Sequence, residues 1–304
     1  MTDTAAGGGV EQALVADRPR LLGLAYRITG SRVDAEDVVQ EAWERVRRAE
    51  GGSVERPSAW LTTVVSRLAL DRLRATQRRR ETYVGPWLPE PVVAVGRPAG
   101  EAGDPAHLAE MAESLTFGFL RVLETLSPVE RVVFVLADVF GVPSADIATV
   151  VGRSPDACRQ IASRARRRVR DAHRPTTTAE DADRVAEDLV AALVAGDADR
   201  VVALLAPDVV AISDGGPERR AARRPVVGPD RVARLLLYTA RRAAEYGVRV
   251  EPRRLNGQHG AVALWEELTV SASAITVAGG RITELHTVVN PDKLAALELT
   301  DPIE

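Results

Sequence analysis

SADIATVVGRSPDACRQIASRARRRVR, residues 144–170, is the stretch that decides how this chain is read. Ser144 is placed to start a short helix running through Val150. Gly152 supplies a tight turn, and Ser154-Pro155 opens a second helix. A serine hydroxyl accepts an orphan amide N–H of the first helical turn, and proline there gives up no hydrogen bond. The second helix carries Arg159, Arg164, Arg166, Arg167, Arg168 and Arg170. From Arg153 to Arg174 there are eight arginines against Asp156 and Asp171, a local charge of +6. An arginine run alone describes a solvated helix face. Here it follows a short turn inside a two-helix unit, the geometry that lays a second helix in the major groove of DNA. The stretch predicts a helix-turn-helix.

Working outward, 304 residues with 45% apolar content predict two or three packed domains. No apolar run approaches the roughly 18 residues of a membrane span, and the N-terminus lacks a basic flank followed by an apolar stretch. Cys158 is the only cysteine, which excludes a disulfide framework and a multi-cysteine zinc site. A cytoplasmic protein without metal or cofactor is expected, with Cys158 as a packing residue. The net charge of −3 is unevenly distributed. Thr176 onward holds fifteen basic and twenty acidic residues, whereas Met1 to Pro175 holds 25 basic and 23 acidic. A basic DNA-binding front and an acidic, separately folded back produce such a split.

The first unit, about Glu11 to Thr82, reads as entirely helical. Ser31 and Asp34 form a capping pattern. The next helix has Ala35, Val38, Val39, Ala42 and Val46 on one side and an acidic stripe of Asp34, Asp37, Glu41 and Glu44 on another. A glycine-rich loop ending at Arg56-Pro57 leads to a helix from Ser58 to about Arg80. Trp60, Leu61, Val64, Leu68 and Leu73 can pack inward there, while Arg67, Asp71, Arg74 and Arg78 share an outward face. Tyr83 to Pro105 is broken by glycine and proline and reads as a linker. Its Trp87-Leu88-Pro89-Glu90-Pro91 is expected to dock on a domain. Ser127-Pro128-Val129-Glu130 is a capping box opening a further helix. His107 and His173, isolated at helix ends, read as structural.

Beyond Pro175-Thr176-Thr177-Thr178 the pattern becomes mixed. Helices are expected over Arg184–Val194, Arg200–Leu205 and Asp230–Tyr246. Strands are expected over Val209–Ile212, Val248–Leu255, Ala261–Val270, Ala272–Val277 and Arg281–Val289, with a hairpin at Gly279-Gly280. These elements predict an α+β domain with a curved sheet wrapped around helices.

Laid out in this order, the residues resemble an extracytoplasmic-function (ECF) sigma factor of bacterial RNA polymerase. Asp34-Ala-Glu-Asp37-Val-Val-Gln40-Glu41-Ala-Trp43 resembles the polymerase-binding helix of sigma region 2. Trp60-Leu-Thr-Thr-Val-Val through Asp71-Arg-Leu-Arg74 resembles the helix that handles the −10 element. Leu126-Ser-Pro-Val-Glu-Arg131 and the helix-turn-helix resemble region 4. The remainder is similar to SnoaL-like, nuclear transport factor 2-like domains. With Trp87–Pro91 and Asn290-Pro291-Asp292-Lys293-Leu294, the pattern resembles the subgroup called ECF group 41. One departure stands out: the subgroup's Asp-Gly-Gly-Gly-Lys is Asp214-Gly215-Gly216-Pro217-Glu218 here, with Arg219 or Arg220 available to supply the missing charge.

The resemblance implies a multidomain protein: two all-α sigma domains (a region 2 helical bundle and a region 4 helix-turn-helix) plus an α+β cone-shaped domain. The boundaries are 1–84, linker 85–106, 107–174, linker 175–183, and 184–304. It implies that Asp34, Asp37, Gln40 and Glu41 dock on the clamp helices of the polymerase β′ subunit, and it brings in the β flap and promoter DNA as partners. The −10 element falls to Ser53, Arg56, Trp60, Arg67, Arg74 and Arg78. Arg159, Gln160, Ser163 and Arg164 match the −35 reading positions, where Arg and Gln can pair bidentately with guanine and adenine edges. Arg166, Arg167 and Arg168 are assigned to phosphate, which confers salt-dependent but sequence-blind affinity. Neither a membrane nor a separate anti-sigma factor is implied.

The third domain admits three readings. It regulates by holding regions 2 and 4 in one arrangement, through Trp87, Leu88, Pro89, Asp214, Gly215, Gly216 and Asn290–Leu294. It senses a ligand. Or it catalyses acid–base chemistry with groups among Asp208, Asp214, His259, Glu266, Glu267 and His286. Regulation without catalysis is the reading taken forward.

Overall fold

A computed structural model of the chain describes residues 5–48, 54–80, 83–93, 115–172, 179–295 and 297. These fall into two compact units. One comprises the described residues up to 80 together with 122–172; the other comprises 83–93, 115–121 and 179 onward.

The first unit is helical, as its patterning requires. Helices α1 (Ala5–Thr29), α2 (Arg32–Arg48) and α3 (Pro57–Arg80) enclose Leu21, Leu24, Ile28, Val38, Ala42, Leu61 and Val65, all at most 1% exposed. Gly30, at φ 72°, turns the chain after α1, and the Ser31 hydroxyl accepts the Asp34 amide at 3.0 Å to start α2. Helix α4 (Phe117–Leu123), which belongs to the second unit as far as Arg121, leads to α5 (Pro128–Phe134), which continues as a π-turn over Val135–Val139. The Ser127–Glu130 capping box is formed, with both reciprocal bonds. Burial pushes the Glu130 carboxyl up, but the Ser127 hydrogen bonds and Arg168 outweigh it and hold the group below its ordinary range.

Helices α6 (Ser144–Val151) and α7 (Pro155–Ala172) form the helix-turn-helix. Gly152, at φ 66°, makes the left-handed turn between them, a conformation that glycine adopts without a Cβ penalty. Ser154 caps α7 through the Ala157 amide at 3.2 Å. The cap assigned to Ser144 is not there. Pro143 occupies that position with no side-chain bond, because fixed proline geometry already sets the chain for helix entry.

The second unit is a six-stranded sheet of order β2-β1-β6-β5-β4-β3. Its strands are β1 (Leu205–Asp214), β2 (Val226–Val227), β3 (Arg249–Leu255), β4 (Gln258–Trp265), β5 (Leu268–Ala278) and β6 (Arg281–Val288). The sheet is mixed, since β1 lies parallel to β6 while the other neighbouring pairs are antiparallel. The strand expected over Ala261–Val270 is instead broken at Glu266, which takes φ 54° to turn β4 into β5. One sheet face packs Ala211, Val277 and Leu285 against α8 (Ala179–Ala195), α9 (Ala198–Leu204) and α10 (Pro229–Glu245). The opposite face, carrying Ile212, Val262, Ala274 and Val288, is covered by Leu88, Val93, Phe117 and Leu294. The linker residues thus complete the second core, and 83–93 is not free chain.

Candidate functional site

Helix α7 places its side chains by a simple periodicity. Cys158, Ala162, Ala165 and Val169 are buried at steps of three and four, which confirms Cys158 as a packing residue. Burial raises its thiol pKa, as suits an inert cysteine. Arg159, Gln160, Ser163, Arg164 and Arg167 are exposed around the other side. Arg159 pairs with Asp156 one turn earlier. Arg166 and Arg168 differ from the rest of the phosphate group assigned above. Arg166 is bound to Asp138, and Arg168 lies 3.1 Å from Glu130. These two exposed side chains link α7 to α5 and its π-turn, while Arg164 and Arg167 have no such ion pair among the described residues.

The acidic stripe of α2 is similarly divided. Asp37 and Gln40 are exposed and Glu41 is half-exposed, whereas the Asp34 side chain keeps 20% of its exposure and lies 3.7 Å from Arg72. Arg72 also reaches Asp37 at 3.3 Å. Asp34 is therefore a partner of α3 more than an outward group. Of the residues assigned to the −10 element, Trp60 is half-buried and Arg74 pairs with Asp71 at 3.4 Å. Arg67 donates to the Thr149 carbonyl of α6 at 2.6 Å, and Arg56 lies 3.6 Å from Asp146 on the same helix. Ser53, the Arg78 side chain, His107 and His173 lie outside the described residues.

Two buried arginines escaped sequence reasoning because nothing local marks them. Arg131, 1% exposed, donates to the Ile28 carbonyl at 2.9 Å and the Leu123 carbonyl at 3.2 Å, and pairs with Glu124. Arg27 stacks over Phe140 at 5.5 Å, and burial pulls its pKa down to about 10.

Of the eleven residues assigned to regulation, Leu88, Gly216, Asn290 and Lys293 bond directly to another, Asp214. Asp214 ends β1 with no exposure. Its Oδ2 accepts the Leu88 amide at 2.8 Å and lies 2.7 Å from Lys293 Nζ. Its Oδ1 accepts the Tyr83 hydroxyl at 2.5 Å and the Gly216 amide at 3.2 Å. Lys293 also donates to the Leu88 carbonyl and sits 4.0 Å from the Trp87 ring centroid. Asn290 reaches the Tyr83 hydroxyl at 2.8 Å and caps the short helix α11 (Pro291–Leu294) through the Asp292 amide. A Cβ on Gly216, itself at φ 58°, would come within 2.7 Å of Asn290 Nδ2, so glycine is required there. The cation that answers Asp214 is Lys293, not Arg219 or Arg220. Sequence reasoning missed Tyr83, whose hydroxyl pKa is raised by burial first and by the Asp214 bond second.

A second tether joins 115–121 to the sheet. Gln258 accepts the Phe117 amide at 2.8 Å, and Asn256 donates to the Leu115 carbonyl at 3.1 Å while bonding Val92 in both directions. Phe117 lies over His286, rings 16° apart and centroids 5.8 Å apart. His286 is fully buried, its Nε2 3.5 Å from Glu284 and neither ring nitrogen hydrogen-bonded among the described residues, and burial, aided by Arg121, lowers its pKa to about 3. The groups offered for acid–base chemistry are dispersed. Asp214 is bound to Lys293, His259 sits 2.6 Å from Asp183, Glu266 and Glu267 are exposed at a turn, and His286 is covered. Among the described residues no group of three His, Cys, Asp or Glu is placed to hold a metal, and no helix is long and apolar enough to cross a membrane.

Comparison with known proteins gives three family matches in succession: Sigma-70 region 2 over residues 14–79, Sigma-70 region 4 over 117–169, and a SnoaL-like domain over 186–292. The ECF RNA polymerase sigma factor SigJ of Mycobacterium tuberculosis is 41% identical, covering 93% of each chain. The probable ECF RNA polymerase sigma factor SigI of the same species is 33% identical over 95% of this chain and 96% of its own. The crystal structure of M. tuberculosis SigJ superposes with a TM-score of 0.73 at 40% identity, covering 94% of this chain and 98% of that one. Two helical sigma regions followed by a SnoaL-like sheet domain, in one order and over nearly the full length, leave one conclusion: the chain belongs to the ECF RNA polymerase sigma factors.

Proposed function

We propose that this sigma factor binds core RNA polymerase through α2, reads the −35 element through α7 and the −10 element through α3 and the loop before it, and is restrained by its own SnoaL-like domain. The carrying observation is helix α7, whose buried stripe leaves Arg159, Gln160, Ser163, Arg164 and Arg167 on its accessible side. Arg159, Gln160, Ser163 and Arg164 are the base-reading set, each bidentate pair being worth about 1–3 kcal/mol of discrimination. Arg167 contacts phosphate. Arg166 and Arg168 hold the helix in place.

Asp37, Gln40 and Glu41 form the docking surface for the β′ clamp helices, with Asp34 orienting Arg72 beside them; region 4 meets the β flap. Arg56 and Arg67 are engaged by α6, so engagement of the −10 element requires their release. The linker 83–93 joins region 2 to region 4 in sequence and is bound to Asp214. This supports restraint of the linker by the third domain without a separate anti-sigma protein, and it favours regulation over catalysis.

Reconstituted transcription with purified core polymerase on a promoter library tests the reading. The intact chain should initiate from a narrow promoter class, and cutting at Pro175 should change output. A chain that never associates with core polymerase would remove the reading, and output unaffected by the cut would remove the regulatory part.

A further inference from the structure

The loop from Gly215 to Pro225 contains Arg219, Arg220, Arg223 and Arg224 against the single acid Glu218, a local charge of +3. Most helix arginines of this chain have a carboxylate within reach, as Arg32, Arg45, Arg48, Arg184 and Arg200 do. The loop arginines have no ion pair among the described residues, and all four are exposed.

The loop that carries them is nevertheless fixed. It leaves Asp214 at one end and is pinned at the other where β2 pairs with β1. Within it the Arg219 amide donates to the Gly215 carbonyl at 3.2 Å. A Cβ on Gly215 would lie 2.6 Å from the Arg219 carbonyl oxygen and 2.8 Å from the Ala221 Cβ, so the backbone folds tightly on itself. Arg219, Arg220 and Arg223 line a cleft of about 570 Å³ whose facing wall is Val84-Gly85-Pro86 of the linker.

Three unpaired guanidinium groups around a concave surface repel one another until an anion joins them, and each presents a planar fork matched to carboxylate or phosphate oxygens. A cleft of this volume suits a small molecule rather than a protein segment.

We propose that this cleft binds a small organic polyanion carrying two or more carboxylate or phosphate charges, and that the bound anion tightens the linker on the third domain. The proposal rests on the regulatory reading above and supplies its signal. One wall flanks Asp214 through Ser213 and Gly215, and the other continues into Trp87 and Leu88. An anion held by the arginines and by the backbone amides of Val84 and Gly85 clamps both walls together. Free Arg223 has its Cα only 3.6 Å from where a Cβ of Gly85 would stand, so the walls are already in near contact.

The test uses the full-length chain at low salt, with pyrophosphate and citrate as probes and chloride at matched ionic strength as control. Calorimetry should show saturable binding of at least one probe. Each Arg→Gln change at 219, 220 or 223 should weaken it about tenfold. Hydrogen exchange at the Leu88 amide should slow when the probe binds and should not slow in the triple variant. Pyrophosphate alone binding would assign the cleft to phosphate esters, and citrate alone to polycarboxylates. Binding no stronger than chloride, unchanged affinity in the triple variant, or capture of the arginines by a short DNA duplex in preference to both probes would overturn the proposal. Binding is read without transcription, so its failure leaves the regulatory reading standing. Conversely, a bound anion that leaves transcription by the intact chain unchanged would fault regulation and not the cleft.

Discussion

Arg48–Glu44 on α2 and Lys293–Asp214 in the SnoaL-like domain have the same separation, 2.7 Å, and little else in common. Arg48 and Glu44 keep 75% and 48% of their side-chain exposure; Lys293 and Asp214 keep 8% and none. Water screens the first pair, and holding two long side chains together costs entropy that offsets the attraction. The second pair is desolvated, so each charge depends on its partners, and four further donors or acceptors around it complete the network. Distance alone does not rank ion pairs; environment does. The surface of the sigma regions is rich in pairs that can be exchanged for polymerase or DNA at small cost. The linker is held in part by a pair that cannot be exchanged cheaply.

The largest expected effect comes from cutting the buried pair. Lys293→Met leaves Asp214 charged and uncompensated and should destabilise the second unit by about 3–5 kcal/mol. Chemical denaturation measures it, and rapid hydrogen exchange at Leu88 should accompany it. Lys293→Arg should fail to restore the wild-type value. Lys293 is the only lysine in a chain whose 40 basic side chains are otherwise all arginine. A compact ammonium meets the Leu88 carbonyl, Asp214 and the Trp87 face where a planar fork does not fit. A full rescue by Arg would sink this account.

Next come the exposed arginines of α7. Arg159→Ala should cost about 1–3 kcal/mol on one promoter class and little on others. Arg167→Ala should weaken binding on all sequences and lower the salt slope by about 1. Equal losses across all duplexes for both variants would merge the two roles.

His286 has a smaller, pH-dependent effect. Its folded pKa of about 3 lies below the unfolded value of about 6.5, so between them the unfolded chain binds the extra proton. Stability contributed by the neutral ring is complete above pH 6.5 and falls as acid is added, by up to about 1.4 kcal/mol per pH unit. Denaturation midpoints between pH 7 and 5.5 should drop more steeply for the wild type than for His286→Leu. His259, lowered by burial and by Arg254 against the pull of Asp183, contributes the same background to both. Parallel slopes would mean that His286 is reached by water in the folded state.

The smallest effect belongs to Arg48→Gln, expected at about 0.3–0.5 kcal/mol and fading with added salt. A loss above 1 kcal/mol would erase the contrast from which this comparison starts.

Local chemistry made much of this legible. The Ser127–Glu130 box, the Ser154 cap and the Gly152 turn are specified by neighbours within four residues, so they can be read without a fold. The eleven regulatory residues were also named from sequence: a tryptophan in a linker and an Asn-Pro at a strand end are conspicuous, and Asp214, Gly215 and Gly216 came from the resemblance to the subgroup's motif. Tyr83, Asn256, Gln258 and the Phe117–His286 stack were not, because each acts across 131 to 207 positions and none has a local signature. The turn at Glu266 was missed for a related reason: a non-glycine residue at positive φ is tolerated only when the strands it joins enforce it.

Hydrophobic period, caps and the arginine-loaded helix, all written in residues a turn or two apart, determined the helical regions and the mixed third domain, while the family came from the resemblance of the motifs in their order. Tertiary structure alone decided that the linker is a layer of the second core, that the exposed Arg166 and Arg168 pair with Asp138 and Glu130, and that the sole lysine answers Asp214. Periodicity tells which side of an element is buried but not what covers it, and the strength of a charge pair is set by the water its neighbours exclude.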